Sequence, residues 1–162
     1  MSFTFRDVLQ EQDLRELTAV MESTGLFYDY EIDVALEVLQ SFLDRGASSG
    51  YHCIIALEKG VCAGYVVYGP TPCTLSGWDI YWMAVGKELQ GIGLGSELII
   101  RTEQNIALNG GTAVWIETSG RPDYLPTRKF YEKHQYIKMA ELPGFYAPGD
   151  SKVIYGKTIS FS

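Results

Sequence analysis

The sequence predicts an α+β fold, on three observations. Two N-terminal segments carry apolar residues at helical spacing. The middle of the chain holds short runs of branched and aromatic residues between turn residues. One of those runs leads through a glycine-rich turn into a further helix. The expected order is helix, helix, three strands, helix, strand, helix and two closing strands.

After a short extended start at residues 3–5, residues 8–24 set Leu9, Leu14, Leu17, Val20 and Met21 at helical spacings between charged side chains. A second helix over residues 30–45 carries Val34, Leu36, Val38, Leu39 and Phe42 and stops at Gly46, ahead of Ser48-Ser49-Gly50. Residues 51–57 and 61–68 read as strands joined by Glu58-Lys59-Gly60, a short hairpin connection, and Gly69-Pro70-Thr71-Pro72 ends the second. Residues 78–85 form a strand, and residues 86–95 lead into a helix that runs to 108 and stops at Asn109-Gly110-Gly111. Residues 113–118 read as a buried strand and 123–134 as a helix. Residues 136–141 and 152–159 are closing strands around a Pro/Gly-rich loop. No repeat or linker divides the chain, so one domain over residues 1–162 is expected.

Composition excludes several classes of function. A formal charge of −7 disfavours a nucleic-acid partner, whose phosphates are held by many Lys and Arg contacts. It is compatible with a cationic amine as partner. Cys53, Cys62 and Cys73 have no C-x-x-C spacing and only two histidines for company, so neither a metal site nor a disulfide framework is expected. Cys53 and Cys62 can face each other across a hairpin, but in a reducing cytoplasm they read as small apolar strand residues. Without a leader-like start or a membrane-length apolar run, the expected location is the cytoplasm, with no membrane partner.

Gln90-Gly91-Ile92-Gly93-Leu94-Gly95-Ser96 follows a strand and opens a helix. Three glycines at alternate positions remove β-carbons, so backbone N–H groups and the positive helix end can close around a phosphate or pyrophosphate. A P-loop would need Gly-Lys-Ser/Thr where this chain has Gly95-Ser96-Glu97. A dinucleotide fingerprint would need a third glycine at Ser96.

The segment from Gln90 to Gly95 resembles the Q/R-x-x-G-x-G/A signature of the GNAT superfamily of acyl-CoA-dependent N-acetyltransferases. Residues 78–85 look like that family's fourth strand, 114–118 like its fifth, and Phe130-Tyr131-Glu132-Lys133 like the helix before its sixth. The run from Phe145 to Asp150 resembles the family's Tyr-x-Pro-Gly loop. The resemblance implies a mixed, mostly antiparallel sheet splayed between strands 4 and 5 and flanked by about four helices. It also implies acetyl-CoA as co-substrate, with its pantetheine arm in the splay; as the cysteine and histidine inventory indicates, no metal is expected. Backbone groups over Met83, Ala84 and Val85 would bind thioester and pantetheine. N–H groups of Gln90, Gly91, Ile92, Gly93, Leu94, Gly95 and Ser96 would hold the pyrophosphate. Many relatives carry a pantetheine-contacting asparagine where this chain has Tyr124, and they close the following helix with Leu-Gly where it has His134-Gln135. That change removes the usual left-handed glycine cap.

A primary amine with a pKa near about 10.4 offers its lone pair in only about one molecule in a thousand at neutral pH, so a base is needed. Asp79 shares a strand face with Tyr81, Met83 and Val85, and it stands eleven residues before Gln90, the spacing of the general-base glutamate in the family's histone-acetylating branch. It is the candidate base, with Glu117 as a second. The reading of Asp79 as the strand's solvated start stays open. Tyr131, the tyrosine of the family's F/L-Y pair, is the candidate acid for the leaving thiolate; a core tyrosine is the alternative. Tyr28, Tyr30, Tyr81, Glu117 and Tyr146 are acceptor-binding candidates, since aromatic walls beside carboxylates suit a cationic amine. The acceptor is expected to be a small amine, a peptide N-terminus or a protein lysine. The glycine turn alone would also serve an acyl-CoA sensor without turnover; Asp79 and Tyr131 together favour catalysis. Pairing of two copies through an exposed final strand is left open by such a fold.

Overall fold

The computed structural model describes residues 1–160; Phe161 and Ser162, the end of the expected domain range, lie outside the described residues. The elements run β1 (Phe3–Arg6), α1 (Asp13–Thr24), α2 (Asp29–Arg45), β2 (His52–Glu58), β3 (Val61–Pro70), β4 (Gly77–Val85), α3 (Leu94–Leu108), β5 (Ala113–Ser119), α4 (Leu125–Lys133), β6 (Ile137–Ala147) and β7 (Asp150–Thr158). The strands follow the order β1-β2-β3-β4-β5-β7-β6. The β1–β2, β2–β3, β5–β7 and β6–β7 ladders are antiparallel, while β4 and β5 are parallel. That parallel ladder covers Gly77↔Ala113 through Ile80↔Ile116 and stops there.

The chain forms two compact units. The first comprises Met1–Gly69 and Tyr81–Gln104. Its core is built because α1 buries Leu17, Val20 and Met21 and α2 buries Ile32, Ala35 and Leu39, each set lying along one helix face. They pack with the inward residues of β2 and β3, such as Ile55 and Tyr65, whose hydroxyl donates to Met21 Sδ at 2.9 Å. Truncating a side chain such as Leu17 or Leu39 would cost about 2–5 kcal/mol. Lys59 and Gly60 both hold left-handed backbone (φ 51° and 85°) between the paired Glu58 and Val61, the two-residue turn that suits strand twist. The second unit comprises Pro70–Ile80 and the chain from Asn105 onward, with Val114 and Ile116 of β5 and Val153 and Tyr155 of β7 in its core. No helix among the described residues is long and apolar enough to cross a membrane.

Several element boundaries differ from expectation. Helix α1 starts at Asp13 rather than residue 8, because the buried Asp13 carboxylate accepts two hydrogen bonds from Arg6 and one from the Gln10 N–H, holding the preceding residues in a turn. The extended start pairs with β2 as a strand. The supposed Pro/Gly loop is mostly strand: β6 continues to Ala147 through a register irregularity, and only Pro148-Gly149 turns, with Gly149 at φ 81°. Cys53 and Cys62 do not face each other; Cys53 pairs with Val67 and Cys62 with Leu57. The left-handed cap of α4 survives without glycine. Gln135 adopts φ 68°, its N–H bonds to Glu132 O and that of Tyr136 to Tyr131 O, the paired bonds of a Schellman motif.

Candidate active site

The glycine turn is built from local constraints. At the end of β4, Gly86 donates its N–H to Ala63 O at 2.9 Å. A short 3-10 turn over Lys87–Leu89 follows, and the Lys87 N–H bonds to Ser23 Oγ near the end of α1. Gln90 then folds its side chain back, donating from Nε2 to Val85 O at 3.1 Å. Gly91 (φ 78°) and Gly93 (φ 93°) carry the chain through left-handed backbone into α3, and no atom lies within 4 Å of where a β-carbon would stand on either. The first helical bond runs from the Glu97 N–H to Gly93 O at 3.0 Å, so the glycine turn opens directly into the helix N-terminus.

An exposed turn with a helix N-terminus behind it and no β-carbon in front has the shape and polarity to receive a pyrophosphate. Ile92 is exposed beside the glycines, whereas Leu94 is buried and anchors the helix start. At the other side of Gly86, Met83 and Val85 are half-buried and Ala84 buried. The Ala84 carbonyl lies 2.9 Å from the position of a β-carbon on Gly64, so β3 approaches β4 there only because residue 64 is glycine.

Asp79 lies on β4 in register with Trp115 of β5, half-buried between the buried Trp78 and Ile80. Tyr81 is also half-buried, edge-on to Tyr51 at 5.4 Å. Along β4, Ile80 and Ala84 are buried while Asp79, Tyr81, Met83 and Val85 are half-buried, with Trp82 half-buried as well. Tyr131 is buried on α4, with its ring 5.6 Å from Phe130, 6.0 Å from Tyr136 and 6.1 Å from Tyr155. Burial pushes its phenol up to about 12, so it remains protonated at any physiological pH.

Tyr124 is buried at the start of α4, with the Arg121 guanidinium 5.1 Å from its ring centre. Arg128 holds the connection before it, donating from Nη1 to Ser119 O and Arg121 O, both at 2.8 Å. Tyr28 and Tyr30 stack at 5.5 Å on the exposed start of α2, where the Tyr28 N–H bonds to Glu31 Oε2. Glu117 and Tyr146 come together, but around a residue that sequence reasoning missed. Lys152 places its Nζ 2.8 Å from Glu117 Oε2, 3.6 Å from the Phe145 ring centre and 5.8 Å from that of Tyr146.

Comparison with known proteins gives this geometry a lineage. Residues 13–136 match the model of the Acetyltransferase (GNAT) family. No curated protein sequence matches the chain. A crystal structure from Desulfovibrio desulfuricans, assigned to the GNAT family, is 41% identical, superposes with a TM-score of 0.94, and is covered over 97% of this chain and 99% of its own. An aminoglycoside 6'-N-acetyltransferase in complex with coenzyme A shares the fold at 17% identity and a TM-score of 0.79, over 100% of this chain and 99% of its own. The ribosomal-protein-S18-alanine N-acetyltransferase from Escherichia coli does so at 16% identity and a TM-score of 0.77, over 99% and 96%. The chain belongs to the GNAT acetyltransferase family and is an acyl-CoA-dependent acetyltransferase with acetyl-CoA as its co-substrate.

Proposed function

We propose that the protein transfers the acetyl group of acetyl-CoA directly to a primary amine, without a covalent enzyme intermediate. The observation that carries this reading is the turn from Gln90 to Gly93, fastened to the last carbonyl of β4 and opening α3. The backbone N–H groups from Gly91 to Ser96 hold the pyrophosphate, and the helix dipole adds to their attraction; the Gln90 N–H, expected among them, donates to Lys87 O instead. Backbone groups of Met83, Ala84 and Val85 hold the pantetheine arm. Tyr124 stands at the sequence position where many relatives carry a pantetheine-contacting asparagine.

Acetyl-CoA supplies the activated acyl carbon; the chain's residues supply proton management. Asp79 accepts the proton that the attacking amine releases, directly or through a water. Glu117, the second candidate base from the sequence, is held by Lys152 Nζ at 2.8 Å and is assigned to acceptor binding instead. Tyr131 donates a hydrogen bond to the departing sulfur. With its phenol held near 12, it acts chiefly as a standing donor rather than by surrendering its proton outright. Such a charge-assisted bond contributes about 1.5–3 kcal/mol, or one to two orders of magnitude in rate. This chemistry uses no metal.

Stacked Tyr28 and Tyr30, Tyr81 and Tyr146 offer aromatic surface to a cationic acceptor. An amine acceptor is also supported by the structural neighbours that modify an aminoglycoside or a protein alanine. We exclude nucleic acid as a partner on electrostatic grounds, and the free cysteines suit a reducing cytoplasm. The final strand β7 pairs with both β5 and β6 and is not the expected exposed edge; if two copies associate, β6, exposed along its whole length, is the edge to test.

The test is release of free CoA thiol from acetyl-CoA across a panel of monoamines, diamines, amino acids and peptides. Amine-dependent release should fall roughly tenfold to a hundredfold in Tyr131→Phe and roughly a hundredfold in Asp79→Asn. Tight binding of acetyl-CoA with no amine-stimulated release would overturn the assignment in favour of a sensor.

A further inference from the structure

A carboxylate flanked by aromatic faces is the chemistry that recognises an ammonium group. The chain builds such a cage from Glu117 of β5 with Phe145 and Tyr146 of β6, and fills it with an ammonium of its own. The ladder of β5 and β7 sets Glu117 opposite Ile154 and Ser119 opposite Lys152, so Glu117 and Lys152 are diagonal neighbours on one sheet face. The irregular register of β6 after Leu142 carries Phe145 and Tyr146 to the same lysine. Lys152 is largely covered, its side chain 13% exposed, while that of Glu117 is 54% exposed.

We propose that Lys152 is a specificity-determining residue: by occupying the Glu117–Phe145–Tyr146 cage with a built-in cation, it selects primary-amine acceptors whose far end is uncharged over those that carry a second positive charge. The inference rests on the reading of Glu117 and Tyr146 as acceptor-binding. A second cation arriving at this face meets a carboxylate already paired, a ring face already covered and a like charge beside both. An uncharged chain meets the outer surfaces of the same rings and loses nothing.

The experiment compares kcat/KM for an alkyl monoamine with that for a diamine of matched length, in the parent, Lys152→Met, Lys152→Arg and Glu117→Gln. Lys152→Met keeps most of the aliphatic volume and empties the cage of charge. The diamine-to-monoamine ratio should rise about tenfold in it, mainly through a lower diamine KM, as one ion pair and its cation–π contacts pass to the substrate. Lys152→Arg should keep the parent ratio. Glu117→Gln leaves the lysine's charge uncompensated at an exposed position that tolerates the change, and should move the ratio the other way. A parent that acetylates the monoamine, with ratios unmoved in both Lys152→Met and Glu117→Gln, overturns this inference alone. A parent that acetylates no amine overturns the proposed function beneath it. If Lys152→Met does not fold, Glu117→Gln decides by its direction.

Discussion

Replacing Gly93 by alanine separates the folding role of the glycine turn from the pyrophosphate-binding role proposed for it. Gly93 sits at φ 93° with nothing within 4 Å of a β-carbon, so the substitution meets no steric wall and its whole effect is backbone strain. A non-glycine residue in this region costs about 1–3 kcal/mol. The turn is exposed, and rotating out of that conformation is easier than bearing the strain. Rotation redirects the N–H groups of residues 92–94, and each N–H lost from an anion forfeits about 1.5–3 kcal/mol. Loss of just one of these bonds should raise the Kd for CoA, measured by calorimetry, by roughly tenfold to a hundredfold. Gly60→Ala provides the control, because Gly60 has φ 85° and equally open surroundings but lies in the β2–β3 hairpin. It should lower thermal stability by a similar amount and leave the Kd alone. A folded Gly93→Ala protein that binds CoA within about twofold of the parent would refute the assignment of the turn to the pyrophosphate.

Three further outcomes follow from packing and charge. Gln135→Gly relieves the left-handed strain at the α4 cap and should stabilise the protein by about 1 kcal/mol, read as a Tm about 2–4 °C higher. Burial pushes the Asp13 carboxyl up, but the Arg6 and Gln10 hydrogen bonds and the Arg6 charge outweigh it and hold the group below the usual carboxylate range. The pair's contribution is then present above the unfolded carboxylate's pKa of about 3.9 and lost as pH falls through the lower folded value; in Asp13→Asn, about 2–3 kcal/mol less stable at pH 7, that acid-side loss should be reduced in denaturant titrations across pH. Burial likewise raises the thiols of Cys53 and Cys62, whereas Cys73 is exposed, so a thiol reagent should label Cys73 in the native protein and all three only after denaturation.

Much of the fold was legible because its signals are local. The spacing of Leu17, Val20 and Met21 specifies the buried face of α1, and Lys59-Gly60 specifies the first hairpin. The illegible parts depend on distant partners. Helix α1 begins at Asp13 because of Arg6 on β1. Strand β6 passes through Pro143 and Gly144, residues that normally break strands, because β7 pairs on either side of them. Gln135 takes a glycine's conformation because the hydrogen bonds closing α4 demand it. At the site, the turn from Gln90 to Ser96 could be read residue by residue, since strand, glycines and helix start are contiguous. Lys152 could not, because its place beside Glu117 and Phe145 depends on the β5–β7 register and the irregularity in β6. The burial that raises the Tyr131 phenol was also hidden, since its packing against Tyr155 of β7 depends on tertiary structure.

Direct transfer is tested most plainly by single-turnover mixing of excess enzyme with acetyl-CoA and a primary amine that supports turnover, followed by mass analysis of both protein and amine. With direct transfer, the acetyl group appears on the amine as the thioester disappears, with no acetylated protein preceding it. An acetyl-protein species that forms first and decays into product, or a thioester whose loss is indifferent to the amine, would contradict it.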